Sequence, residues 1–494
     1  MRIANIDVFG HGCAADWGPK TSKPTASMSG NVYPPASGFA KFSTTTRCFV
    51  FRNSAIQPWG STMRNRRWNS LARTVAVAAM TMTHLLAAQQ TESFPAKYFA
   101  FNLGAPGGIS AAAASINNLG WVAGDNFTSA TAEHAELWVG APFDLGTLGG
   151  PNSAVAWPNH NTNGQIVGIS ETADVNELGE DWSCALANFP TVTRHICYGF
   201  LWRDGAMRAL LPLPGGLNSY GAALNNRGQA VGWAENGTRD STCLSPQVLQ
   251  FEAVVWGPDP GQITELRPLP QDADGAATAI NDRGEVVGIS GICDQAVGRY
   301  SARHAVLWEN GIAINLGNFD GGVAWNTPTA INNRSQAVGF ANLPNSAPGA
   351  LNPVGFFWSQ ETGIRKIPPL GSDANNIAWA MNNHGQVVGD SCTDNTFSVC
   401  RAFLYEKGVA ADLNSLIQPG ASLELVLAND INDAGEIVGF GIDEQSKLVV
   451  AFLAVPVADG DPGDRGGSRA TGVPDTLLRT IPMIGRSVGQ TRAR

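Results

Sequence analysis

Between residues 94 and 457 the apolar positions come in short bursts, broken every few residues by Gly, Asn or Asp. One stretch sets the pattern: Ala279-Ile280-Asn281-Asp282-Arg283-Gly284-Glu285-Val286-Val287-Gly288. Asn281 suits the first position of a type I turn and Gly284 the left-handed position that closes it. The apolar flanks predict two antiparallel strands leaving the turn. The same phrase recurs seven times, with its Asn at Asn117, Asn161, Asn225, Asn281, Asn332, Asn382 and Asn432. The Gly three residues on is kept everywhere except at Ser335. The Gly seven residues on is kept in all copies: Gly124, Gly168, Gly232, Gly288, Gly339, Gly389 and Gly439.

Two more segments travel with each copy. An aromatic-aliphatic strand follows the hairpin, as in Ala135-Glu136-Leu137-Trp138, Ala305-Val306-Leu307-Trp308 and Ala402-Phe403-Leu404-Tyr405. A short Leu-containing strand precedes it, as in Asn102-Leu103-Gly104, Asp144-Leu145-Gly146 and Asn315-Leu316-Gly317. Each repeat therefore holds about four strands, and the key Asn residues are spaced by 44, 64, 56, 51, 50 and 50 residues. A four-stranded unit of this size is a propeller blade, which hides both faces only when packed against neighbours. The predicted fold is all-β: a seven-bladed β-propeller of four-stranded blades. The array begins on a Leu strand and ends on an aromatic strand. These two types are joined by short turns between repeats, so pairing of the N- and C-terminal strands should close the ring.

The flanks differ. Residues 1–62 lack either periodicity, and they are expected to be an upstream extension outside the mature protein. Residues 63–88 carry basic residues from Arg64 to Arg73, then the weakly apolar run Thr74–Ala88, the grammar of a secretory signal. The run is shorter than the roughly 20 apolar residues of a membrane span. Residues 458–494, rich in Gly, Arg, Ser and Thr, read as a disordered tail after the array at 94–457.

The recurring phrase, followed by His304-Ala305-Val306-Leu307-Trp308 or His134-Ala135-Glu136-Leu137-Trp138 and by Asp144-Leu145-Gly146-Thr147-Leu148-Gly149-Gly150, resembles the HAF-repeat family of bacterial extracellular proteins. Val306 and Glu136 replace the Phe of the naming tripeptide, and Arg401 replaces its His before Ala402-Phe403. The resemblance covers roughly residues 96–457. It implies secretion and a propeller-like array, and it implies no activity.

Composition narrows the partners. The net charge of -9 combines basic flanks with a middle holding 16 basic and 35 acidic residues, a net of -19. A body so acidic repels phosphate backbones, so nucleic acid is not an expected partner. Six cysteines remain beyond the signal, an even number suited to disulfides in a secreted or periplasmic chain. Cys184 with Cys197, and Cys392 with Cys400, would each close a loop between hairpin and aromatic strand. Cys243 and Cys293 occupy that loop in adjacent repeats and could bridge two blades. No Cys-x-x-Cys spacing supports zinc.

Chemistry is sparse. The Asn and Gly of the phrase are explained by turn formation. The repeated Trp residues belong between blades. Trp157, Trp325 and Trp379 break the pattern, as does Trp182 in the long 171–198 insertion, and these four are the candidate ligand-binding residues. In that insertion Asp174, Asn176, Glu177 and Asp181 are candidate calcium ligands, although Leu178 and Ala185 stand where ligands belong. No other cofactor and no catalytic motif is evident. The expected function is that of a secreted, monomeric, non-enzymatic scaffold binding an extracellular glycan or protein through loops on one face. The alternative is a propeller hydrolase or lyase acting on extracellular polysaccharide. The two differ in whether carboxylates with a His or Tyr gather in the channel.

Overall fold

The computed structural model describes residues 97–457 apart from 160, 181–183, 185–188, 294–300, 321, 323–324, 345 and 347–350. The upstream extension, the signal segment and the tail lie outside the described residues, as do Asp181 and Trp182. The strands form seven four-stranded antiparallel sheets, each one blade. Six blades are continuous in sequence. The seventh takes its three inner strands from Leu423–Ile431, Ile437–Asp443 and Val449–Pro456, and its outer strand from Tyr98–Gly104 at the other end of the array. The ring is therefore closed by terminal strand pairing. Among the described residues no helix is long and apolar enough to cross a membrane.

In each blade the strand before the turn Asn is innermost, and the Leu strand is outermost and most exposed. In the fourth blade, Asp274–Ile280 is buried throughout, whereas Ile312–Gly317 alternates towards solvent. Apolar clusters fill the spaces between blades, and one of them spans three successive sheets from Ala223 to Trp358. The repeated Trp anchors these joints. Trp308 is 1% exposed and donates from its indole N–H to the Arg267 carbonyl of the preceding blade's outer connection, at 2.7 Å. Trp256 does the same to Leu211, at 2.9 Å. Burying such a side chain stabilises by about 2–3 kcal/mol.

The recurring Asn does more than form the turn. Its Oδ1 accepts two backbone N–H groups of its own hairpin, at 3.0 Å each for Arg283 and Glu285 on Asn281. Its Nδ2 then donates to the backbone carbonyl of the corresponding Asn in the next blade. The seven bonds run from Asn117 round to Asn432 and back to Asn117, at 2.7–3.3 Å. The side-chain amide supplies an acceptor and a donor from separate atoms here, which a turn-only account does not require.

The two Gly positions also have separate causes. Gly284 has φ +84°, and Ser335 keeps the same left-handed conformation at φ 57°. The Gly seven residues after Asn is needed for space instead. A Cβ on Gly288 would lie 2.0 Å from the Ala276 carbonyl oxygen, and the other six meet their inner strands at 1.8–2.2 Å. A bulge in the inner strand turns that carbonyl towards the Gly.

Candidate functional site

The inner strands run towards the hairpin turns, so one end of the channel is ringed by turns. The loops between second and third strands, and the connections from outer to inner strands, emerge at the opposite end. The hairpin end narrows over Ile116, Ile280, Ile331, Met381 and Ile431, with the Asn ring above them, to a cavity of about 40 Å³. That holds a water or so, far below the ~300 Å³ of a small-molecule site.

The channel farther in is different, because blade 2 breaks the repeat. In six blades the turn Asn comes five positions after the inner-strand residue that pairs with the residue eight beyond that Asn, as with Ala112 (paired with Asp125) and Asn117, or Tyr220 (paired with Trp233) and Asn225. In blade 2 seven separate Ala154 from Asn161. The regular strand Gly149–Ala154 stops there, and Pro158 lacks the N–H a ladder needs. Asn159 replaces the missing pairing: its Oδ1 accepts from Val167 N at 2.9 Å, and its backbone N–H donates to Ser115 Oγ of blade 1 at 2.7 Å. This two-residue bulge carries Trp157.

Trp157 meets Trp379 of blade 6, ring centroids 6.2 Å apart and planes at 74°. The two blades lie three places apart in the ring, so the indoles meet across the channel. Trp379 occupies the bulge position of the inner strand, which holds the smaller Ala114, Ala222, Thr278, Thr329 and Asn429 in other blades. Phe340 of blade 5 packs beside it at 6.3 Å. Both Trp side chains remain half-buried.

One carboxyl group contacts this pair directly. The Trp379 indole N–H donates to Asp390 Oδ1 at 2.6 Å. Burial pushes the Asp390 carboxyl up to about 7, against the pull of that hydrogen bond. Asp125 occupies the equivalent ladder position of blade 1; the other blades have Ile169, Trp233, Ile289, Phe340 and Phe440 there. Its carboxyl is hydrogen-bonded to that of Glu133, and burial raises Asp125 to about 7. Glu133, 2% exposed, is raised well above the ordinary carboxylate range by burial and by the Asp125 charge. Tyr220 of blade 3 is fully buried and stacks on Trp233 with centroids 4.1 Å apart. Its hydroxyl lies beside Trp157 and within electrostatic range of Asp125 and Glu133.

Of the four candidate Trp residues, the structure thus brings two together. Trp325 is half-buried just before the inner strand Asn326–Ile331, with φ 71°. Asp125, Asp390, Glu133 and Tyr220 were not singled out from the sequence, yet the two Asp residues are polar exceptions in an apolar column and could have been found by aligning the repeats.

The candidate calcium ligands of the 171–198 insertion are described only in part, since Asp181 lies outside the described residues. Asp174 and Glu177 are exposed, while the Asn176 Oδ1 accepts the Leu178 N–H in a turn. Glu180 is buried and accepts the Val248 and Leu249 N–H groups of blade 3, at 2.9 and 2.7 Å. Glu171 accepts from Asn152 and Thr193. The three disulfides join Cys184 to Cys197, Cys243 to Cys293 and Cys392 to Cys400, the second crossing between blades. Among the described residues two groups could in principle hold a metal, Glu171 with Cys184 and Cys197, and Asp390 with Cys392 and Cys400. Their sulfurs are in disulfides and offer no thiolate, so neither donor set fits. His134 and His304, from the repeat's tripeptides, bind Asp144 and Asp272 at 2.7 Å. Arg401 clamps Asp373 and Asp412 in the same way.

No protein-family model matches the chain, and no curated protein does. Among solved structures, an oligogalacturonate lyase from Vibrio parahaemolyticus is similar at 9% identity and TM-score 0.42, covering 72% of this chain and 93% of that one. Virginiamycin B lyase from Staphylococcus aureus is similar at 9% identity and TM-score 0.38, covering 72% and 99%. A likeness at this level carries no argument about activity.

Proposed function

We propose that this chain is a secreted, non-enzymatic propeller of the HAF-repeat type that binds an extracellular glycan in the channel reached from its loop end. The observation that carries the reading is the Trp157–Trp379 pair, two half-buried indoles delivered across the channel by the positions where blades 2 and 6 depart from the repeat. Flat aromatic faces stack on the apolar faces of sugar rings, and buried carboxyl and phenol groups beside them bond the hydroxyls. Secretion is supported by the disulfides, which persist in oxidising compartments. The test is a glycan-array screen with Trp157→Ala beside the native chain. Loss of a glycan signal in a variant that melts cooperatively supports the reading, and undiminished binding refutes it.

A second reading, a hydrolase or lyase on extracellular polysaccharide, is favoured by one observation. Asp125 and Asp390 are held up to about 7, where a carboxyl can give or take a proton at neutral pH. Release of reducing ends or unsaturated products from a bound polysaccharide would establish it, and intact polymer after prolonged incubation would reject it.

A further inference from the structure

The hairpin turns surround one end of the channel, and the residue two places after the turn Asn is exposed in all seven. In blades 3 to 6 it is Arg227, Arg283, Arg334 and His384, and in the other three blades it carries no charge. Adjacent turns are tied by the Asn ring, so these side chains form an arc on a molecule whose middle is otherwise strongly acidic. Arg283 is engaged by Glu285, at 2.8 Å, and by Ser335 of the next turn. Arg227 leans the same way round, since a Cβ on Gly284 of the next turn would lie 2.1 Å from its Nη2. The Arg227 and Arg334 guanidiniums, both exposed, make no hydrogen bond or ion pair among the described residues. The carboxylates nearer the axis serve amides: Asp282 accepts from Asn226 and Asn333 at 3.1 and 3.0 Å, and Asp433 from Asn383 and Asn118 at 3.0 and 2.9 Å. Farther out, Asp204, Asp259, Glu309, Glu361 and Glu406 lie in or beside the turns between third and fourth strands, at the same end. An anion settling on this face is thereby confined to the arc.

We propose that the hairpin face is a second binding surface, on which Arg227, Arg334 and His384 hold a linear anionic polysaccharide. A solvent-facing guanidinium fork takes a carboxylate or sulfate through two parallel hydrogen bonds. Such forks on successive turns suit anions repeated along a polymer better than a single small ion. The surface is at the opposite end from the loops that lead to Trp157 and shares no residue with that site. Nucleic acid carries charge more densely than such a polymer, so the net of -19 around the arc repels it more.

The experiment measures binding of the full chain at low salt to labelled alginate, dextran sulfate, dextran and duplex DNA. Alginate or dextran sulfate is expected to bind and dextran is not, with the bound fraction falling as salt rises. The tighter of the two anionic polymers assigns carboxylate or sulfate as the recognised group. Arg227→Ala combined with Arg334→Ala should weaken that binding about tenfold. Arg208→Ala combined with Lys447→Ala makes the same change in net charge, on the outer strand of blade 2 and at the loop end of blade 7, and should leave binding unchanged. All four side chains are exposed, so both double variants should melt as the native chain does. Equal weakening in the two would show that only overall charge matters and overturns the surface. Failure of both anionic polysaccharides to bind overturns it too, and tighter binding of DNA than of either overturns the polymer class.

Discussion

The two ends of the channel are built from the same repeats and have opposite characters. At the hairpin end every blade contributes the same Asn, and the seven amides close a ring of hydrogen bonds. At the loop end and in the channel interior the blades disagree. Blade 2 is longer by two residues, blade 6 has Trp where others have small side chains, and blades 1 and 6 have Asp in an apolar column. Repetition marks residues whose groups every blade uses in the same way; departure from it marks where single blades differ in size and chemistry from the rest. The disulfides follow the same division, since all three lie at the loop end of the blades, in the loops between second and third strands or in the strand ends that flank them.

The largest test of that division is at the covalent cross-link between blades. Replacing Cys243 and Cys293 together with Ser opens a loop of sequence separation 50 and should destabilise by about 4 kcal/mol. The corresponding change at Cys392 and Cys400, separation 8, should cost about 2.5 kcal/mol. Chemical denaturation midpoints read both; equal losses would show that loop length is not the controlling factor.

Gly288→Ala probes the repeated end. Its Cβ would lie 2.0 Å from the Ala276 carbonyl, so the two strands must separate, at about 3 kcal/mol or more. Gly385→Ala at φ +83° has open space around it and should cost only the conformational penalty, about 1–2 kcal/mol. A reversal of that order, measured by denaturation, would sink the distinction between the two glycines.

Asn281→Asp separates turn from ring. It keeps the Oδ1 acceptor for Arg283 and Glu285 but loses the donor to the Asn332 carbonyl and puts a charge beside it. The expected loss is about 2 kcal/mol, and a fully stable variant would mean that the ring is dispensable.

The interior carboxyls make stability depend on pH. Burial raises Asp125, Glu235, Asp274 and Asp390 to about 7 and Glu252 to about 9. The folded state therefore binds protons more tightly than the unfolded chain, whose carboxyls titrate near 4. This contribution is fully present below about pH 4 and is lost as pH rises through 7. Melting temperature should thus be higher at pH 5 than at pH 8, by several degrees, roughly 5 °C. A higher value at pH 8 would show that the carboxyls find cations in solution or are less buried.

Much of this was legible in the sequence. The seven-fold phrase gave blade number, strand order and ring closure, because turns and strands are local and their residue preferences repeat. The cysteine pairs followed from their places beside the aromatic strands. Trp157 and Trp379 were visible as exceptions, but as two separate ones. Asp181 and Trp182 of the insertion lie outside the described residues, while Glu180 of that loop is occupied by the backbone of blade 3.

What the sequence determined alone is the blade: its turn Asn, its spacing and the apolar faces that need neighbours. What only the tertiary structure decided is which residues share the channel. Trp157 and Trp379 are 222 residues apart in the chain and meet because ring closure sets blades 2 and 6 on facing walls. The Asn side chain shows the same limit at one residue. Its acceptor serves its own hairpin and could be read locally, whereas its donor reaches a carbonyl that only the closed ring brings within 3 Å.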